Sequence, residues 1–330
     1  MKLHLNKQLF RQAIQFTSDQ LQIPAIYIEK DYWVTFVLHI IFNDPIGKDT
    51  VFKGGTALSK CFEMISRFSE DIDLVVIRRE GESNNKLTSK IKVISELANS
   101  EMPEINIEGL THKMGMNRKT AHSYNKEFKG EYGQVRDAIV IEATWLGYHE
   151  PYSVKAINSM VGKMMMKNGQ LGLAEEYSLL PFELNVLDPT RTVCEKIMSL
   201  VRFSYGEDAI ENLKKKIRHA YDLHQLLQVQ EFFGFFNSPA FVVMLLKVAE
   251  DDVISYKNNN QWLSNHPNEA LIFKQLEQVW EELEPVYSTD FKNLVYGNLP
   301  TSSAVLDTMR QIKERLRIID WQIIMPKKQD

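Results

Sequence analysis

The chain is poor in cysteine and contains no long uninterrupted run of apolar residues. Its 330 residues include two cysteines, Cys61 and Cys194, whose spacing is not that of a metal-binding motif. We expect both thiols to be reduced and packed in or near the core. The longest apolar stretch, residues 33–42, is too short to span a bilayer. The first residues predict an amphipathic helix rather than a secretory signal, so we expect a cytoplasmic protein that binds no membrane.

An excess of positive charge is also missing. The formal net charge is −4 at pH 7, which argues against a large, uniformly basic surface for nucleic acid but still permits a local patch. What is present is an ordinary globular composition, 44% hydrophobic and 25% charged. At about 150 residues per domain, this length favours two domains.

Hydrophobic periodicity divides the chain into a mixed first half and a helical second half. Beyond Leu187, helix follows helix to about residue 324, with Asp188 as the N-cap and Pro189 as the first helical residue. We therefore predict a first domain of residues 1–187 and a helical domain of residues 188–330. In the first half, helices are predicted near residues 9–16, 26–42, 56–65 and 86–98, and strands near 50–52, 72–76, 104–110 and 138–145.

The segment FKGGTALSKCFEMISRFSEDIDLVV, residues 52–76, is the most informative about chemistry. Gly54 and Gly55 follow a predicted apolar strand and open a helix, where backbone N–H groups can approach an anion closely. Asp71 and Asp73 are two residues apart on a predicted strand, so their carboxylates project from one face. Because like charges repel, the pair favours a cation between them, and Mg²⁺ prefers oxygen ligands of this kind.

Two hydroxyl residues accompany this motif. Thr56 and Ser69 can each contact a phosphate oxygen, but both residue types are equally favoured in turns and helix caps. A glycine pair alone, or an Asp-x-Asp pair alone, is weak evidence for a site. The combination of strand, glycine pair, helix and Asp-x-Asp strand favours a functional interpretation.

This segment resembles the nucleotidyltransferase motif of the DNA polymerase β-like superfamily. More closely, the chain is similar to the AbiEii/AbiGii family of type IV toxins, which includes the MenT-type toxins. Residues 28–34 (IEKDYWV) resemble the family's N-terminal helix, residues 192–197 (TVCEKI) its lysine motif, and residues 218–223 (RHAYDL) its final aspartate motif. The resemblance covers about residues 25–227 and weakens beyond them.

The resemblance implies an α+β fold: a polymerase-β-like nucleotidyltransferase domain with a short mixed sheet, followed by an all-helical C-terminal domain. It also implies a third carboxylate that completes a metal site with Asp71 and Asp73. Glu142 is the candidate, because an acid within the apolar strand AIVIEA is costly unless it is paired or bound to metal. Asp137 competes with it, since the family more often has Asp here, and a solvent-facing Glu142 is the structural alternative.

By the same resemblance, Lys196 is catalytic and contacts the nucleotide phosphates. Asp222 is then essential for activity and orients either Lys196 or the acceptor. Considered alone, Lys196 is a surface lysine on an amphipathic helix, and Asp222 pairs with Arg218 one turn earlier. The implied cofactor is Mg²⁺, replaceable by Mn²⁺, and the substrate is an NTP.

Two basic clusters stand out against the acidic total. One interpretation is that the clusters bind RNA phosphates, with aromatic residues stacking on bases. The alternative is that the first cluster is a solvated loop and the second a solvated helix face. The first cluster contains Lys113, Arg118, Lys119, Lys126 and Lys129 with the aromatic residues Tyr124 and Phe128, and the second is Lys214, Lys215, Lys216 and Arg218.

The function implied is that of a toxin that transfers NMP from an NTP, with release of pyrophosphate, to the 3′ end of tRNA. Such a reaction blocks translation and growth, as in phage defence. The expected partners are tRNA, NTP and a cognate antitoxin encoded nearby, without a stable complex being required. Transfer to a protein hydroxyl or a small molecule is the second hypothesis. A catalytically inactive binding module is the third.

Overall fold

The computed structural model describes residues 1–69, 71–130, 135–147, 149–256 and 259–325, and the chain forms two compact units. Unit 1 comprises Met1–Glu63, Arg67–Trp145 and Tyr152–Leu187. Unit 2 comprises Met64–Ser66, Leu146–Pro151 and the described residues from Asp188 onward.

Within its described residues, unit 1 is built on one mixed sheet of eight strands. The strands are β1 (Thr50–Lys53), β2 (Ile72–Val76), β3 (Glu104–Ile105), β4 (His112–Met114), β5 (Asn117–His122), β6 (Ile139–Thr144), β7 (Tyr152–Ile157) and β8 (Phe182–Leu187). Their order across the sheet is β3-β5-β6-β2-β1-β8-β7, and β4 also pairs with β5. β2 runs antiparallel to β1 and parallel to β6, while β1 runs parallel to β8.

β2 lies in the middle of this sheet and forms part of the core. Ile72, Leu74, Val75 and Val76 are each at most 1% exposed, as expected for an apolar strand with sheet neighbours on both sides. Asp73 is the one polar residue in β2. A carboxylate is therefore placed at the centre of the sheet, where its burial is costly unless a partner compensates its charge.

The helices of unit 1 include one that is buried almost along its whole length. In α2 the buried residues include three consecutive charged side chains, Glu29, Lys30 and Asp31. A helix that is apolar on most faces belongs in a core. The helices are α1 (Lys7–Leu21), α2 (Ala25–Asn43), α3 (Gly54–Phe62), α4 (Asn84–Glu101), α5 (Met160–Lys167) and α6 (Leu171–Glu176).

Unit 2 is helical over the described residues that follow Leu187. Its first helix begins at Pro189, and the Asp188 side chain caps it by accepting a hydrogen bond from the Thr190 N–H at 2.9 Å. α7 packs against α9 and α11. The helices are α7 (Pro189–Phe203), α8 (Ala209–Lys214), α9 (Ile217–Leu227), α10 (Gln230–Asn237), α11 (Pro239–Ser255), α12 (Leu271–Lys274), α13 (Leu276–Val286) and α14 (Ser302–Arg317).

The predicted α+β class is confirmed, and the cap at Asp188 lies where the sequence predicted it. Several elements were not predicted: β4, β5, β7, β8, α5 and α6. The strand predicted over residues 104–110 is limited to Glu104–Ile105, and the last helix ends at Arg317 rather than near residue 324. β5 and β7 are rich in polar or exposed residues. Their sheet neighbours hold them in place, and no local hydrophobic pattern marks them.

Both thiols are free, and Cys194 is fully buried. Burial raises the pKa of each thiol, that of Cys61 to about 12, so both are poor nucleophiles. Among the described residues, no single helix has the length and apolar character needed to cross a bilayer. One pair, α10 and α11, meets that test only when taken together, and it is bent by 79°.

The fold makes stability depend on pH through His39. This half-buried side chain of α2 meets the Phe182 ring edge-on, and burial lowers its pKa from 6.5 to about 4. Between these values the unfolded chain binds a proton that the folded chain does not, so the free energy of unfolding decreases as pH falls through this window.

We expect the free energy of unfolding of H39Q to decrease less than that of the wild type as pH falls through the same window. Urea unfolding at several pH values measures this difference. Part of the decrease should remain in H39Q, because the pKa values of His4 and His122 are also lowered. An unchanged profile in H39Q would contradict this assignment.

Candidate functional site

The two glycines allow polar side chains to approach the start of α3. Gly54 has φ of +78°, and a Cβ there would lie 2.2 Å from Oδ2 of Asp73. A Cβ at Gly55 would lie 2.7 Å from Nη2 of Arg67 and 3.0 Å from Oγ of Ser69. A larger residue at either position would have to displace the carboxylate, the guanidinium or the hydroxyl, so both positions favour glycine.

The sheet places two of the predicted carboxylates on neighbouring strands. Asp73 in β2 is in register with Glu142 in β6 on one side and with Lys53 in β1 on the other. Asp71 immediately precedes β2. The competing acid, Asp137, precedes β6, is exposed and pairs with Lys126. The structure therefore groups Glu142, and not Asp137, with Asp73.

Negative charge accumulates at this point of the sheet. The pKa of Asp73 is raised to about 7, first by burial and then by the charges of Glu142 and Asp71, against the opposing effect of Lys119 and Lys53. The Asp73 carboxylate therefore lies in an environment that disfavours its ionised form.

Two basic side chains partly neutralise these carboxylates. Nη1 of Arg136 lies 2.9 and 3.2 Å from the two carboxylate oxygens of Asp71. Nζ of Lys119 donates to Glu142 at 2.8 Å, and the Asn117 amide donates to the same carboxylate at 3.1 Å. Burial opposes the ionised form of Glu142, but Lys119 holds its pKa below the usual value. Burial likewise opposes the charge of Lys119, yet the carboxylates raise its pKa.

These three partners were missed as site residues by sequence reasoning. Lys119 was noted only as part of a basic cluster, and Arg136 and Asn117 were not singled out. Asn117 and Lys119 are two residues apart on β5, so they face the same side of the sheet. That signal becomes readable only once β5 is recognised as a strand beside β6.

The donor set suits a hard divalent cation, but the present arrangement of side chains does not form a cage. Within the ranges that the structure describes, no three His, Cys, Asp or Glu side chains are grouped closely enough to hold a metal ion. Carboxylate oxygens are the ligands that Mg²⁺ and Mn²⁺ prefer. Because Asp71 and Glu142 each contact a protein cation, joint coordination of a metal requires these ion pairs to rearrange.

The hydroxyl residues of the motif have different surroundings. Thr56 is 1% exposed, and its hydroxyl donates to the backbone carbonyl of Asp71 at 2.6 Å. The Ser69 hydroxyl, which is half-buried, lies 3.0 Å from the Thr56 oxygen. Thr56 thus fixes the backbone that carries Asp71, while phosphate contacts by Thr56 and Ser69 stay predictions.

The stretch that resembles the family's N-terminal helix holds surrounding loops in place. The Glu29 carboxylate accepts hydrogen bonds from the backbone N–H groups of Glu127 and Phe128, in the loop that follows β5, at 2.7 and 3.1 Å. Nζ of Lys30 donates to the backbone carbonyl of Arg136. Asp31 pairs with Nζ of Lys60 at 2.5 Å, both side chains being nearly buried. Lys60 is therefore engaged in the core.

In unit 2, the predicted lysine and aspartate are brought together. Nζ of Lys196 in α7 lies 2.7 Å from a carboxylate oxygen of Asp222 in α9, and 3.4 Å from Nδ1 of His219. Lys196 is 5% exposed and Asp222 is fully buried. This geometry does not match the surface-lysine alternative, and it provides a contact through which Asp222 orients Lys196.

Most basic residues of the first cluster have partners inside unit 1. Tyr124 is buried and packs against Trp33, with 5.7 Å between ring centroids. Ion pairs with acidic residues reduce the net charge that such a cluster offers to nucleic-acid phosphates. The basic contacts are Lys113 with Glu104 at 2.5 Å, Arg118 with Ser95 at 2.5 Å, Lys119 with Glu142 at 2.8 Å, and Lys126 with Asp137.

The second cluster, in unit 2, is likewise engaged in part. Lys214 pairs with Glu211 at 2.8 Å, and the Lys216 ammonium lies 4.5 Å from the ring centroid of Phe203.

The glycine-opened helix, the Asp-x-Asp segment beside it and the mixed sheet fit the predicted nucleotidyltransferase. Residues 36–308 match the family model described as nucleotidyl transferase AbiEii toxin, type IV TA system. The chain therefore belongs to the AbiEii family of nucleotidyltransferase toxins from type IV toxin–antitoxin systems. The match extends well beyond residue 227, where the resemblance in the sequence weakens, and it starts after residues 28–34.

Comparison with solved structures identifies a similar fold. The chain is similar to MenT4, a nucleotidyltransferase toxin from Mycobacterium tuberculosis H37Rv, with a TM-score of 0.55 and 16% identity over 93% of this chain and 90% of that one. At this identity the likeness concerns the fold alone. The comparison with curated protein sequences finds no match.

Substitution of Gly54 tests the close approach at the start of α3. We expect G54A to lower the free energy of unfolding by more than the roughly 1 kcal/mol that a positive φ costs a non-glycine residue, because its Cβ also displaces the Asp73 carboxylate. The matched control is G109A, where φ is +73° and nothing lies within 4 Å of the added Cβ. Urea unfolding measures both losses, and equal losses would show that the carboxylate contact is unimportant.

Removing one partner of the buried pair in unit 2 tests its coupling. We expect K196M to destabilise the protein by about 3–5 kcal/mol, because it removes the ammonium group that pairs with the buried Asp222 carboxylate. The double variant K196M/D222L should be less destabilised than the two single losses added together. Additive losses in a urea-unfolding cycle would contradict direct coupling of the two side chains.

Proposed function

We propose that this chain transfers a nucleoside monophosphate from an NTP to the 3′ end of tRNA, with release of pyrophosphate, and so blocks translation and growth. The observation that carries the proposal is the close approach of Gly54 to the carboxylate of Asp73, beside Asp71 and Glu142. Membership of a nucleotidyltransferase toxin family supports the reaction class. It also implies a cognate antitoxin as a partner.

We propose Mg²⁺, or Mn²⁺ in its place, as the cofactor. Asp71, Asp73 and Glu142 would hold it, since their carboxylate oxygens suit a hard cation and their accumulated charge calls for one. When bound, such a cation neutralises the charge of the triphosphate and lowers the pKa of an attacking hydroxyl.

The protein's own groups bind the phosphates and position the reacting atoms. Backbone N–H groups at the start of α3 bind phosphate oxygens, helped by the positive end of the helix dipole. We propose Lys196 as a further phosphate ligand, with Asp222 orienting its ammonium group through the 2.7 Å contact. The acceptor hydroxyl oxygen bonds to the α-phosphorus while the bond from this phosphorus to pyrophosphate breaks. Positioning and charge stabilisation account for most of the rate enhancement in reactions of this class.

One observation favours a second acceptor class. The Lys113, Arg118, Lys119 and Lys126 side chains are engaged within unit 1, so the first cluster does not form a freely available basic surface. A protein hydroxyl or a small molecule requires no such surface. Nucleotide transfer to one of these acceptors is the alternative.

The proposal is tested by incubating the purified protein with Mg²⁺, each α-labelled NTP in turn, and total tRNA. We expect label to enter tRNA with the wild type and to fall by at least about a hundredfold with D71N, because a metal ligand is lost. D137N is the matched control, since it removes an exposed carboxylate one strand away, and it should retain activity.

The labelling experiment distinguishes the possible acceptors. If label enters protein instead of RNA, the tRNA proposal is wrong and a protein hydroxyl is the acceptor. Equal loss in D71N and D137N would contradict the assignment of Asp71 to the site. The absence of label in any acceptor with any NTP would contradict nucleotide transfer altogether.

A further inference from the structure

The Arg136 side chain contacts a residue on which the proposed reaction depends. Its Nη1 spans both carboxylate oxygens of Asp71, at 2.9 and 3.2 Å. The two side chains are 36% and 24% exposed, so solvent and solutes reach the pair. Guanidinium groups bind carboxylates and phosphates with similar geometry and keep their charge at any physiological pH.

The backbones of the two partners are anchored separately. The ammonium group of Lys30, which is fully buried, donates to the backbone carbonyl of Arg136. The hydroxyl of Thr56, also buried, donates to the backbone carbonyl of Asp71 at 2.6 Å. The pair can therefore separate through side-chain rotation, without movement of either anchored carbonyl.

Arg136 and a divalent cation compete for the same oxygens. The Asp71 carboxylate cannot hold a metal ion with both oxygens while Nη1 of Arg136 spans them. A displaced guanidinium would lie close to a cation, where an additional anion stabilises both charges. The triphosphate of an NTP provides that anion and also contributes oxygens to the metal.

We propose that Arg136 is a nucleotide-phosphate ligand that exchanges Asp71 for the NTP when nucleotide and metal bind together. This inference rests on the proposed function, and it assigns Arg136 two consecutive partners. In the absence of nucleotide, Arg136 weakens metal binding. With nucleotide present, Arg136 strengthens the bound state, so that metal and nucleotide bind cooperatively.

The test measures binding and needs no acceptor. Mn²⁺ affinity is determined by electron paramagnetic resonance without nucleotide, and NTP affinity is determined by calorimetry with Mn²⁺ present. We expect R136Q and R136A to bind Mn²⁺ alone at least about threefold more tightly and the NTP at least about tenfold more weakly than the wild type. R79A is the matched control, because it removes an exposed arginine–aspartate pair, with Asp49, elsewhere in unit 1. It should change neither affinity.

Each outcome bears on the proposal. Unchanged or weaker Mn²⁺ binding in R136Q would overturn the competition, and unchanged NTP binding would overturn the phosphate contact. R136K provides the same readouts should either neutral variant fail to fold: its single ammonium should bind the NTP less tightly than the wild type, and equal affinity would overturn the role of the guanidinium. If these shifts occur but no acceptor is labelled, the proposed function fails while the role of Arg136 in nucleotide binding stands.

Discussion

Electrostatic repulsion among three carboxylates is the constraint on which unit 1 depends. Asp73 interrupts an otherwise apolar central strand, Glu142 lies beside it on β6, and Asp71 immediately precedes β2. No sheet gains stability from placing such charges together, since burial and like charge both oppose ionisation. The protein offsets part of this charge with Lys119, which pairs with Glu142, and with Arg136, which pairs with Asp71. These same contacts are the ones that the proposed metal ion would have to displace.

The compensation extends to residues that do not touch the carboxylates. α2 is a core helix, yet it carries Glu29, Lys30 and Asp31 in its buried interior. Each of these charged groups forms hydrogen bonds with a different part of unit 1, which offsets part of the cost of its burial. Lys30 fixes the carbonyl of Arg136, which links the buried helix to the side chain that contacts Asp71. In unit 2, the buried contact of Lys196 with Asp222 follows the same rule.

Much of this could be predicted from local sequence. The glycine pair, the Asp-x-Asp spacing and the capped helix at Asp188 are short-range features, and each has a physical meaning that depends on a few neighbouring residues. The resemblance to a nucleotidyltransferase toxin family added the lysine and aspartate motifs, and the family match confirms it over residues 36–308. The local sequence favoured Glu142 over Asp137, because Glu142 interrupts an apolar strand, but only the strand register places Glu142 beside Asp73.

The sequence by itself determined the family, the α+β class and the motif around Asp71 and Asp73, since these depend on residue type and spacing along the chain. Only the tertiary structure decided which charges meet. It placed Glu142 in register with Asp73, turned Lys119 and Arg136 toward the carboxylates, and engaged basic residues that looked available for RNA. The physical reason is that strand register and the pairing of distant side chains are set by how separate segments pack together, and spacing along the chain does not record that packing.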